Sequence, residues 1–220
     1  MADTAIFDVD GTLVDTNYQH ALAWYRSFRK FDIVLPIWRI HRAIGMGGDQ
    51  LVASLTSDDV ENEHGEALRE AWTGEFERFI DEVKPFDGAK DLLVEVKRRG
   101  FQVVLASSGK SDHVEHFLDL VDARELADAW TTSDDVEASK PAPDLVQTAL
   151  DRVPGSSGIM IGDSPWDAIA AAKADIATVA VRTGGFSAAE LHDAGAVRVF
   201  DSLRDLIAGL DDTALARPTA

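Results

Sequence analysis

The chain contains no cysteine, which excludes disulfides, thiolate metal sites and cysteine nucleophiles. No apolar run is long enough to span a bilayer, and residues 1–9 carry no basic stretch leading into an apolar one. Neither an anchor nor a leader is therefore expected, and a soluble, cytoplasmic protein is the default. Basic residues are few: 21 Lys and Arg stand against 39 Asp and Glu, a formal charge of -18. A field of that sign argues against non-specific binding to nucleic acid or to an anionic membrane. The expected partner is a small molecule, met by a monomer or homodimer. An anionic substrate has to be drawn in locally, by a metal ion, a few cations and helix N-termini. Internal repeats and low-complexity segments are also missing. At 220 residues, with 45% apolar and 27% charged residues, the chain suffices for one full core, or for a core carrying a smaller inserted domain.

Residues 6–15, Ile-Phe-Asp-Val-Asp-Gly-Thr-Leu-Val-Asp, carry most of the chemical information. The apolar run from Thr4 to Phe7 predicts a buried strand, with Asp8 and Asp10 at its exit. Two residues apart, their side chains leave the same side of the sheet if strand geometry persists. Gly11 lets the backbone turn, and Thr12 follows. Carboxylates held this close repel, so such a site holds a divalent cation or keeps one acid protonated. The competing interpretation, a plain polar turn, weakens because further polar groups recur at later predicted strand ends.

From residue 17 to 84 the spacing predicts helices only, with Tyr18, Ala21, Leu22, Trp24, Tyr25 and Phe28 as one apolar stripe. A second helix starts at Pro36 with Ile37, Ile40 and Ile44 on one face, and Gly45-Met46-Gly47-Gly48 interrupts it. A further helix begins near Ser57 and runs, with a break near Gly65 or Gly74, to Pro85. From Gly88 onward strands and helices alternate, which predicts an α/β fold: a doubly wound, Rossmann-like parallel sheet with helices on both faces. Residues 1–16 and 85–220 then form the core. Residues 17–84 form an all-α cap inserted after the first strand, over the strand ends where ligands bind. The tail from about Asp211 to Ala220 reads as frayed.

Three later segments bring polar groups to strand or loop ends. Ser107-Ser108-Gly109-Lys110 follows an apolar strand and precedes a helix, an arrangement suited to cradling an anion. Lys140 precedes Pro141 and Pro143, whose rigidity lowers the entropy cost of placing its ammonium. Ile159-Met160-Ile161-Gly162-Asp163 ends a strand in an acid, with Asp167 four residues on; Mg²⁺ is commonly held by one or two carboxylates plus substrate oxygens, and Asp8 with Asp163 would supply them.

Asp8-Val9-Asp10-Gly11-Thr12-Leu13, Ser107, Lys140-Pro141 and Gly162-Asp163 with Asp167 resemble, in order, the four signatures of the haloacid dehalogenase-like hydrolase superfamily, most of whose members are Mg²⁺-dependent phosphatases. The resemblance implies that Asp8 is the phosphorylated nucleophile and Asp10 the acid/base, with Ser107 and Lys140 completing the catalytic set. It also implies a Mg²⁺ site of Asp8, Asp163 and the Asp10 backbone carbonyl, supported by Asp167. Gly11, Thr12, Ser108, Gly109, Lys110 and His20 are expected to border the phosphate or the substrate. The acid at position 10 sets the chain apart from the dehalogenases of the superfamily. Helical-cap phosphoglycolate phosphatases and β-phosphoglucomutases are the similar branch. The mutase grips a second phosphate with an Arg in the cap, where this chain reads Gly45-Met46-Gly47-Gly48, and its fourth signature has adjacent Glu and Asp. Hydrolysis of a small phosphate monoester is therefore expected, with phosphomutase activity as the alternative and a receiver-like phospho-Asp switch as the reading from a different class. His64, His113, His116 and His192 read as surface residues, Trp72 and Phe76 as cap core. Trp38, Arg39, Arg42, Met46 and Gln50 are cap candidates for reaching the substrate.

Overall fold

The computed structural model describes residues 2–155 and 157–216. Its sheet is built from β1 (Thr4–Phe7), β2 (Gln102–Ala106), β3 (Ala129–Thr131), β4 (Gly158–Gly162), β5 (Ala177–Val181) and β6 (Ala196–Phe200). The order is β3-β2-β1-β4-β5-β6, and every pairing is parallel. Strands buried on both faces need continuous apolar runs, and Ala5, Ile6 and Phe7 are fully buried. Alternation sorts them. Ala5 and Phe7 join Val103, Leu105, Ile159 and Ile161 beneath α5 (Ala89–Arg98), α6 (Ser111–Leu120) and α10 (Leu203–Ala208). Ile6, Val104 and Met160 face the other way, against α7 (Asp144–Asp151) and α8 (Pro165–Lys173). A short α9 (Ala188–Asp193) covers the β5–β6 end.

Between β1 and α5 the chain leaves the sheet as α1 (Asn17–Lys30), α2 (Ile37–His41), α3 (Gly48–Leu55) and α4 (Asp58–Phe76). These helices bury a separate apolar cluster in which Trp24, Phe28, Ile40, Leu51, Val52 and Leu68 meet. Helix α4 opens on Ser57, whose hydroxyl accepts the Val60 N–H, a cap that satisfies one of the orphan donors of the first turn. It runs unbroken through Gly65 and Gly74. The predicted break is absent because packing on α1 and α3 outweighs roughly 1 kcal/mol of glycine propensity. Helix α2 is shorter than the spacing predicts: Ile40 and Ile44 are buried, whereas Ile37 is exposed.

Residues 211–216 differ from the expected frayed tail. A single 3₁₀ turn covers Leu210–Asp212, Leu215 is fully buried, and its carbonyl accepts from the Arg99 guanidinium at 3.2 Å. One apolar anchor among polar residues holds the segment to residue 216; residues 217–220 lie outside the described part.

Candidate active site

In an open parallel sheet, the crevice for ligands lies where the strand order reverses. Here that point is β1, flanked by β2 on one side and β4 on the other. Asp8 follows β1, Ser107 follows β2 and Asp163 follows β4, so three adjacent strands deliver polar groups to one end of the sheet. All three are buried. The Asp8 N–H still donates to the Ile161 carbonyl at 2.9 Å, so strand pairing fixes the backbone of the first acid against the strand that presents the second.

Asp8, Asp163 and Asp167 bring carboxylate oxygens within 4.8 Å of one another. The Thr12 hydroxyl lies 3.0 Å from Asp8 Oδ2 and 2.8 Å from Asp163 Oδ1, and one proton cannot serve both acceptors. Burial pushes Asp8 up to about 7, with Lys140 pulling it down and Asp167 and Asp10 pushing it further up. Asp163 is raised well above the carboxylate range by burial and by the same acidic neighbours. Against these acids stands the Lys140 ammonium, which donates to Asp8 and, at 2.8 Å, to Asp167. Burial alone would lower the lysine, but Asp167 and Asp8 outweigh it and hold it charged. Ionised together, the three carboxylates would outnumber the one buried ammonium, and an all-oxygen donor set of this kind fits a hard divalent cation.

The sequence-predicted residues divide by geometry. Lys140, although far from Asp8 in the chain, is 1% exposed and seated on it. Asp167 engages both oxygens, one on Lys140 and the other accepting the Ser164 N–H at 3.0 Å and hydroxyl at 2.7 Å. It therefore caps α8 and seats the lysine at once. Gly11 adopts φ 79°, and a Cβ there would overlap the Asn17 side chain, so the turn after Asp10 needs glycine. Thr12 faces the two carboxylates.

Asp10 points away from that cluster. Its Oδ1 lies 2.9 Å from His20 Nε2 and accepts the Thr16 hydroxyl at 3.2 Å, while Oδ2 accepts the Ser107 hydroxyl at 2.9 Å. Burial raises Asp10, but the His20 bond and charge, with Ser107, overcome this and hold it below its ordinary value. Ser107 Oγ also accepts the Gly109 N–H at 2.9 Å, which shapes the loop. The Ser108 hydroxyl lines the cavity and, buried, has no partner among the described residues.

The cavity above these groups measures about 220 Å³. Its floor includes Asp8, Asp10, Gly109, Lys110 and Lys140, and the helical insertion contributes Trp24, Met46, Asp49, Arg69 and Trp72 to its walls. Of the expected cap candidates, Met46 lines it. Arg42 instead meets Glu190 and the Gly185 carbonyl, Gln50 bonds Asp49, and Trp38 and Arg39 face solvent. Trp72 is not merely core: it stacks on Trp24 and His20 and also borders the cavity. Phe76 is fully buried and stacks on His20 at 4.0 Å.

His113 differs from its surface assignment, being buried against Phe76 and Trp72. Burial and the nearby His20 lower its pKa. Its helix is amphipathic, and the partner that covers it comes from the distant α4. Asn17, read only as a helix start, donates to Asp163 Oδ2 at 2.8 Å and to the Gly184 carbonyl at 3.1 Å. Its type and its place just after the acidic loop were the available signals.

The family model described as haloacid dehalogenase-like hydrolase matches residues 5–181. The chain is 30% identical over 210 residues to the validoxylamine A 7'-phosphate phosphatase of Streptomyces hygroscopicus subsp. limoneus, covering 92% of this chain and 93% of that one. It is 28% identical to protein CbbY of Cereibacter sphaeroides, over 97% of this chain and 99% of the other. Among solved structures, a hydrolase from Pseudomonas syringae superposes with a TM-score of 0.90 at 34% identity, covering 96% of this chain and 99% of that one.

Proposed function

The chain is an enzyme of the haloacid dehalogenase-like hydrolase family, and from that premise we propose that it is a Mg²⁺-dependent phosphatase that hydrolyses a small phosphate monoester through an aspartyl-phosphate on Asp8. The observation that carries the proposal is the buried Lys140 ammonium seated on Asp8 within the Asp8, Asp163 and Asp167 cluster. Asp8 and Asp163 would hold the metal, which when bound supplies positive charge that keeps Asp8 ionised and offsets charge on the phosphoryl oxygens. The helical insertion, residues 17–84, acts as the cap.

In the first step an Asp8 carboxylate oxygen attacks phosphorus, the bond to the ester oxygen breaks, and Asp10 gives its proton to the departing alcohol. Asp10 is ionised while His20 and Ser107 hold it, so in the first turnover it takes that proton from solvent as these contacts adjust to substrate, and in later turnovers it carries the proton taken from water in the second step. Lys140, the Ser108 hydroxyl and the loop N–H groups face the equatorial oxygens. In the second step Asp10 takes a proton from water, the resulting oxygen attacks phosphorus, the Asp8–phosphorus bond breaks and inorganic phosphate leaves.

The relatives support a phosphate ester as substrate class; the one named above acts, by its name, on validoxylamine A 7'-phosphate. A mutase needs a grip for a second phosphate. Loop 45–48 carries no cation, Asp49 beside it, pushed up by partial desolvation, is nonetheless held below its ordinary pKa by hydrogen bonds from Ser139 and Gln50, and Arg69 is paired with Glu61 at 2.7 Å. The test is steady-state turnover of p-nitrophenyl phosphate: many turnovers with Mg²⁺ and none after EDTA treatment are expected. Stoichiometric labelling by acetyl phosphate without turnover would instead identify a switch.

A further inference from the structure

Lys140 is held at both ends. Core carboxylates fix its ammonium, and its backbone carbonyl accepts the Gly47 N–H of the helical insertion at 3.3 Å. The residue before it is gripped from the first turn of α3: Asp49 accepts the Ser139 N–H at 3.1 Å and the Ser139 hydroxyl as well. Ser139 is 2% exposed, whereas Asp49 lies at the exposed first turn of α3. The approach is so close that a Cβ on Gly47 would overlap Ser139 Oγ. Gly47 has an ordinary φ of -69°, so its glycine is required by contact and not by backbone conformation. Ser139, Asp49 and Lys140 all border the cavity.

We propose that Asp49 is a positioning residue for the phosphatase reaction, the latch that clamps the helical insertion onto the 139–140 segment so that closing the cavity and seating Lys140 are one event. This rests on the phosphatase reading above. Hydrogen bonds to an ionised carboxylate are stronger than neutral ones, and because Asp49 already faces water with the contact made, opening it exposes no new buried charge on the insertion side and the latch is reversible. With the latch shut, the buried Ser139 N–H has the Asp49 carboxylate as its acceptor, so a closed insertion lacking that carboxylate would leave the donor unpaired. The other side of the insertion is tied elsewhere: His41 lies 3.0 Å from the Gly184 carbonyl, and the Arg42 carbonyl accepts the Trp166 indole N–H at 3.2 Å. Movement about that side opens the Asp49 edge.

The experiment compares Asp49→Ala, Gly47→Ala, Ser139→Ala and the Asp49→Ala/Ser139→Ala double variant in Mg²⁺-dependent p-nitrophenyl phosphate hydrolysis, with amide exchange at Gly47 and Ser139. A loss of about tenfold or more in kcat is expected for Asp49→Ala and Gly47→Ala, since small misplacements of reacting groups carry penalties of that order. KM should change less than about threefold, as expected for a group that does not touch substrate. Ser139→Ala should lower kcat in the wild-type background and not in the Asp49→Ala background, the signature of a coupled pair. Both amides should exchange faster in Asp49→Ala. Unchanged kcat, additive losses, or unaltered exchange would each overturn the proposal. If wild type hydrolyses nothing, the phosphatase reading falls instead, and amide exchange alone decides whether the latch forms.

Discussion

At the scale of single residues, the decisive feature is the conflict between burial and charge at Asp8. Its pKa in the metal-free chain is pushed up to about 7 by burial and by Asp167 and Asp10, against the pull of Lys140. A raised pKa means that the folded state binds the proton more tightly than the unfolded state. The stabilisation is therefore complete below the unfolded value of 3.8 and is lost as pH rises through about 7. Melting temperature in EDTA should fall between about pH 4 and pH 7, and Asp8→Asn should flatten that slope without unfolding the protein. The same ionisation favours metal, so apparent Mg²⁺ affinity should rise over this window with proton release, which calorimetry in two buffers reads directly. A flat affinity profile would show that these carboxylates do not hold the ion.

At the scale of elements, the first turn of α1 joins the helical insertion to the metal-side acid. Asn17 bonds both Asp163 and the Gly184 carbonyl, and this helps to pull Asp163 down against burial. Asn17→Ala should weaken Mg²⁺ binding by about 10–100-fold, as loss of a group orienting a ligand does, with a small effect on melting. Equal affinity in the variant would limit Asn17 to fastening the helix. Strand ends made Asp8, Ser107 and Asp163 legible, because a buried apolar run followed by a polar residue is a local pattern. The Asn17–Asp163 contact spans 146 residues and has no local pattern. Likewise Trp24, Arg69 and Trp72 meet at the cavity only through the packing of α1 on α4, and His113 is buried by a helix it does not adjoin in sequence.

At the scale of the molecule, the alternation of strands and helices from Gly88 onward is enough to indicate the doubly wound parallel sheet. Residues 211–216 depart from the frayed tail the sequence suggests because one buried side chain, Leu215, decides their placement. The net charge of -18 sets a further behaviour. Exposed ion pairs contribute roughly 0–1 kcal/mol each, so screening them costs little beside relief of the overall self-repulsion. Melting temperature should rise from about 10 mM to about 300 mM NaCl as the screening length shortens; a fall would show that surface pairs outweigh the net charge.

In the proposed reaction Asp8 takes the phosphoryl group. The direct measurement is to quench the wild-type protein during Mg²⁺-supported turnover, reduce the acyl phosphate with borohydride and find the modified residue by mass spectrometry. Homoserine at position 8, absent from Asp8→Asn along with activity, is the predicted result. Reduction at another carboxylate, or an Asp8→Asn protein that turns over at the wild-type rate, would contradict it.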